Sequence, residues 1–122
     1  MIRTILASAA VCLLATAASA NPFDAAYGNT VTQVFPDGKT FTIYVNQDGT
    51  WEQRGPDGVT KGTFAWKTAT NVCFTQVSPA PKDPSQATNC NEIKGEHKVG
   101  DSWTETLPNN AGSIKMSITA GR

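Results

Sequence analysis

The chain is 122 residues long, with ten Lys and Arg against ten Asp and Glu and a formal net charge of zero. Its cations are scattered singly, which excludes binding driven by phosphate neutralisation, and no basic amphipathic segment points to a membrane surface. The length allows one domain with one modest core.

Residues 1–20 carry the three parts of a secretory signal: Arg3 in a positive leader, an apolar run over 5–18, and the small-residue site Ala18-Ser19-Ala20 ahead of Asn21. Cys12 lies inside the apolar run behind Ala9-Ala10-Val11, a poor lipobox, so cleavage and release are expected rather than lipid anchoring. The run is also too short for a retained span. Residues 21–122 are expected to be a single domain in the periplasm or outside the cell, with no membrane anchor. Two cysteines remain in it, Cys73 and Cys90, and an even pair in a small exported domain reads as a disulfide. Zinc would need more ligands than these two and the single His97, so no metal or cofactor is expected.

Residues 21–28 have no period and read as a lead-in, with Phe23 or Tyr27 against the rim of the core. Strands follow at 30–35, 39–46, 50–54 and 60–67, punctuated by Asp37-Gly38, Asp48-Gly49 and Asp57-Gly58, the residues that tight hairpin turns require. The second strand has the clearest phase, with Phe41, Ile43 and Val45 on one face and Thr40, Thr42 and Tyr44 on the other. In the third, Trp51 and Gln53 oppose Glu52. In the fourth, Gly62 lies in line with Phe64 and Trp66, where a glycine lets the sheet bend or a ring pack over the backbone. A fifth strand at 71–77 sets Val72 and Phe74 against Cys73, Thr75 and Val77, and reads as buried on both faces. Residues 78–89, with Pro79, Pro81 and Pro84, form the longest loop. A sixth strand at 90–94 places Ile93 opposite Cys90, so that the disulfide staples a hairpin; closing such a loop contributes about 3 kcal/mol in the chain-entropy model. The seventh, 102–107, alternates Trp103, Glu105 and Leu107 with Ser102, Thr104 and Thr106, leaving Glu105 on the apolar face. The eighth, 113–119, turns Ile114, Met116 and Ile118 inward. The pattern is all-β: a small antiparallel meander closing into a roughly eight-stranded barrel, with a two-sheet sandwich as the alternative.

Catalytic motifs are weak. Gly100-Asp101-Ser102 looks like a serine-esterase nucleophile block, but the only histidine, His97, lies five residues upstream in a charged loop and lacks an acidic partner block. His97 reads as a solvated loop residue. Asn46, Asp48 and Glu52 do not fit a calcium loop: aligned on Gly49, the first and last ligand positions fall on Tyr44 and Gly55. Glu92, Glu96 and Glu105 supply carboxylates for a hydrolase only if two share a cleft. The strongest candidate binding set is Trp51, Trp66 and Trp103, with Tyr44, since rings at a barrel mouth can stack on sugars or apolar ligands while Glu105 or Gln53 orients them; alternation alone, however, assigns Trp66 and Trp103 to the core.

The succession Asn29-Thr30, Asp37-Gly38, Asp48-Gly49 and Gly62-Thr63-Phe64-x-Trp66, followed by Cys73 and Cys90, resembles a loose group of small exported proteins of Gram-negative bacteria. The resemblance implies a lipocalin-like periplasmic β-barrel without catalytic residues. Periplasmic inhibitors of lysozyme and of metalloproteases are similar in size and architecture, although the Ser-Gly-x-x-Tyr loop of the lysozyme inhibitors is missing here. The expected role is therefore a non-enzymatic binding module for a small ligand or an envelope protein. The alternative is an inhibitor of a hydrolase, acting through a rigid protruding loop at 79–84.

Overall fold

The computed structural model describes residues 21–122; the expected signal segment, with Cys12, lies outside them. Eight antiparallel strands form one sheet: β1 (Thr30–Val34), β2 (Thr40–Val45), β3 (Thr50–Gly55), β4 (Gly58–Trp66), β5 (Asn71–Ser78), β6 (Thr88–Glu92), β7 (Ser102–Thr106) and β8 (Ser113–Thr119). Their spatial order is β6-β5-β4-β3-β2-β1-β8-β7. This is the succession of an up-and-down barrel, each strand beside its neighbour in the chain and β8 returning to β1, with the β6/β7 pairing left unmade. The sheet curls into a half-barrel with one open seam.

The turns form where the Asp-Gly pairs stand. Gly38 and Gly49 take φ of 85° and 87°, a region closed to most side chains. The carboxylates before them accept the amides of Lys39 and Thr50, each at 3.0 Å, which locks the reversal. Alternation then sorts the side chains. Val31, Val45, Val72, Ile114, Met116 and Ile118 are buried, and Ala26 joins them from the lead-in. Opposite them on the outer face, Glu52 pairs with Arg54 at 3.0 Å and Lys61 at 3.4 Å.

Gly62 is required by two close approaches. A Cβ there would lie 1.8 Å from the Thr75 carbonyl oxygen and 2.8 Å from the Trp51 ring. The β4/β5 register shifts between Lys61 and Gly62. Both effects expected of this glycine, a bend in the sheet and a ring over the backbone, occur together.

Three expectations need correction. The fifth strand is not buried on both faces: Val72 is fully buried, but Val77 on the other face is 59% exposed, because among the described residues nothing packs outside the sheet there. The sixth strand begins earlier than expected, at Thr88, since the Thr75–Thr88 and Cys73–Cys90 pairs set its register. Ile93 consequently lies past its end, its amide donating to the Thr70 carbonyl at 2.8 Å. Finally, His97 is not a solvated loop residue: it is half-buried and lies flat on Trp103, with ring centroids 3.5 Å apart and 4° between planes.

Cys73 and Cys90 are directly opposed across β5 and β6 and joined by a disulfide. No helix among the described residues is long and apolar enough to cross a membrane. Both features are compatible with export.

The lead-in is more than a rim contact. Asn21 caps a tight turn by accepting the Phe23 amide at 2.8 Å, and the Ala26 and Tyr27 amides donate to the Phe23 carbonyl. Phe23 then meets Phe64, Trp66 and Phe74 at centroid distances of 5.4, 4.8 and 5.9 Å, plugging the end of the half-barrel where β4 finishes. At the other end Phe35 packs on Phe41 at 5.1 Å.

Candidate functional site

The interior is a trough with two chambers. The first encloses about 430 Å³, within the range of small-molecule sites. Its floor comes from β1, β2 and β8: Val31, Ile43, Val45, Ile114, Met116 and Ile118. These side chains alternate inward on strands that the meander brings together, with Val31 opposite both Ile43 and Ile118. The mouth lies at the seam and is edged by Asn91, Glu92, Ile93, His97, Trp103 and Glu105. Here the β6–β7 connection forms no hairpin, and its last residues run along the edge of β8, extending the β7/β8 pairing. The Gly100 amide donates to the Ile118 carbonyl at 2.8 Å, and the Ile118 amide donates to the Asp101 carbonyl at 3.1 Å.

At the mouth, the Trp103 indole N–H donates to Glu105 Oε1 at 3.2 Å, so the two residues of the expected set that stand on β7 act as a unit. Glu105 takes part in none of the ion pairs among the described residues. Glu92 differs. It accepts from Thr70 Oγ1 and, at 3.0 Å, from Asn71 Nδ2, and these bonds hold its carboxyl below the usual carboxylate range.

The second chamber, about 380 Å³, shares Gln33, Ile43, Phe74 and Asn91 with the first. Its remaining wall comes mainly from Trp51, Gln53, Gln76 and Asn89. A third concavity, on the outer face, is built around Tyr44, Glu52, Lys61 and Arg122. Arg122 is a clamp there: it donates to Asn46 Oδ1 and the Val45 carbonyl, both at 2.7 Å, and lies over the Tyr44 ring at 5.0 Å.

The expected set of three tryptophans does not line one cavity. Trp103 and Glu105 stand at the mouth of the first chamber, and Trp51 walls the second, its indole N–H donating to the Thr63 carbonyl at 3.0 Å. Trp66 is instead used in packing Phe23. Of the three acidic candidates, Glu92 and Glu105 share the first chamber, whereas Glu96 does not line it. Ser102 is exposed and alternates to the face opposite Trp103, while His97 is engaged with that indole, so the two form no nucleophile–base pair. Among the described residues no group of three or more His, Cys, Asp and Glu is placed to hold a metal. Sequence reasoning names Gln53 as an orienting group but misses the stacking role of His97 and the other inward amides; the signal for one of them was present, since Gln76 alternates with Phe74. Comparison with family models, curated proteins and solved structures finds no match to this chain.

Proposed function

We propose that the domain is an exported, non-enzymatic binding module of the periplasm that admits a small ligand to its trough through the β6/β7 seam. The observation that carries this reading is the 430 Å³ chamber: an apolar floor that the side chains of the described residues leave unfilled, with Trp103, His97 and Glu105 at its mouth. The sequence resemblance to small exported β-barrels points the same way. The carboxylates suit binding better than hydrolysis. A glycosidase-type pair needs one carboxyl kept protonated, whereas the bonds from Thr70 and Asn71 favour the ionised form of Glu92. In the test, the apolar fluorophore N-phenylnaphthylamine is titrated into the purified protein. Saturable binding at one site is expected, with energy transfer from the tryptophans that Trp103→Phe reduces. Filling the chamber by Ile114→Trp lowers the affinity about tenfold or more. A folded protein that binds no dye saturably ends the reading.

A second reading, an inhibitor of an envelope hydrolase, is favoured by the β5–β6 loop. It is exposed and internally tied: Asp83 accepts the Ser85 amide at 3.0 Å, and Gln76 Nε2 donates to the Pro79 carbonyl at 2.8 Å. Loops held on a rigid sheet are where binding concentrates. This reading expects inhibition within a panel of lysozymes and proteases, lost when residues 79–87 are replaced by a short turn.

A further inference from the structure

The inner face of a small barrel is ordinarily apolar, and a polar side chain turned inward is the informative exception. Here Gln33 on β1, Gln53 on β3 and Gln76 on β5, all half-buried, and Asn89 and Asn91 on β6, which stay open to water, line the second chamber. Of these five, Gln76 bonds to the Pro79 carbonyl, and the amides of Gln33, Gln53, Asn89 and Asn91 make no side-chain hydrogen bond among those formed by the described residues. No lining residue of this chamber carries a charge. A charged group entering it would lose its hydration without a counter-ion. An uncharged group that both donates and accepts would be matched, because each amide offers donors and an acceptor together. Hydroxyls have that dual character. Trp51, fixed by its bond to Thr63, adds an aromatic wall for the C–H face of a sugar ring. The shared residues Gln33, Ile43, Phe74 and Asn91 make this polar chamber continuous with the apolar one.

We propose that the ligand is an amphiphile with an uncharged polyhydroxylated head, of the glycoside type, whose head occupies the amide chamber and whose apolar chain occupies the floor of β1, β2 and β8. This rests on the trough reading above and adds the head-group chemistry to it.

The test is calorimetric, on the purified protein, with octyl glucoside, octanol, octanoate and an octanoylated dipeptide amide, all below their micelle-forming concentrations. Octyl glucoside is expected to bind about tenfold or more tightly than octanol, as two or so net hydrogen bonds would give. Octanoate is expected to bind weakest. In the double variant Gln53→Leu, Asn89→Leu the advantage of octyl glucoside over octanol disappears while octanol binding persists. Should that variant fail to fold, Gln53→Glu keeps the shape and selectively weakens the glucoside. Equal binding of octyl glucoside and octanol overturns the head-group assignment and leaves the trough reading standing; binding of none of the four overturns both. A clear preference for the dipeptide amide or for octanoate also overturns it.

Discussion

Strands β8 and β6 lie on opposite sides of the open seam, β8 one strand in from its edge and β6 at the edge itself, and they are held by different forces. β8 is paired on both edges, with β1 and β7, and alternates Ile114, Met116 and Ile118 into the core, leaving Ile118 only 3% exposed. β6 pairs on one edge only and is exposed along its whole length. Its attachments are the disulfide to Cys73, the Thr75–Thr88 hydroxyl contact at 2.9 Å, and the bonds from Thr70 and Asn71 to Glu92. Where a strand buries apolar side chains, the hydrophobic effect holds it and its neighbours together cooperatively; where it buries none, covalent and polar ties must serve. The seam opens beside the strand of the second kind, and that is where the proposed ligand enters.

Removing an apolar anchor from the β8 side has the largest expected effect. Ile118→Ala should lower stability by about 3 kcal/mol, seen as a single shifted urea transition in every probe. On the β6 side, Cys73→Ser with Cys90→Ser should cost about the same or slightly less in the chain-entropy model, but with a different signature. Amide exchange should quicken first in β6 and the loop before it, while β1 and β8 keep their protection up to global unfolding. Uniform loss of protection would erase the distinction between the two strands.

Phe23 connects the sides, since Ala26 of the same turn packs into the β1/β8 core while the Phe23 ring rests on β4 and β5. Being half-buried, it should cost about 2 kcal/mol when replaced by Ala, measured by thermal unfolding. Arg122→Ala removes the clamp beside β8, with its bonds to Val45 and Asn46, and should cost about 1 kcal/mol in the same measurement.

The smallest effect is the acid response of β6. The folded value of Glu92 is depressed, so its contribution is fully present above the ordinary carboxylate range and is lost as pH falls through the lowered folded value. The protection of β6 amides, relative to their intrinsic exchange at each pH, should therefore fall as pH drops below the ordinary carboxylate range, ahead of protection in β8. Glu92→Gln should flatten that response; an unchanged profile in the variant would show that another acid governs the edge.

Much of the fold was legible beforehand, for reasons visible in particular residues. The Asp-Gly turns needed only local backbone geometry, and the inward triplet of β8 needed only a period of two. The candidate site was less legible. Trp103 and Glu105 follow from alternation, and alternation equally assigns Trp66 to the core, but that its indole packs there on Phe23, 43 positions away in the chain, takes a tertiary contact to decide. His97 looked solvated because its sequence neighbours are charged, and only the return of the connection across the seam lays it on Trp103.

Composition and spacing by themselves determined a single antiparallel β-domain, its hairpin turns, the inward and outward faces of most strands, and two cysteines opposed on neighbouring strands. All of these follow from interactions within a residue's own strand or hairpin. The tertiary structure alone decided that β6 and β7 stay apart, that the lead-in plugs one end, and that side-chain amides from four strands converge on one chamber. Those outcomes depend on contacts between distant segments, where the curvature set at Gly62, the register set by the disulfide and the packing of Phe23 act together.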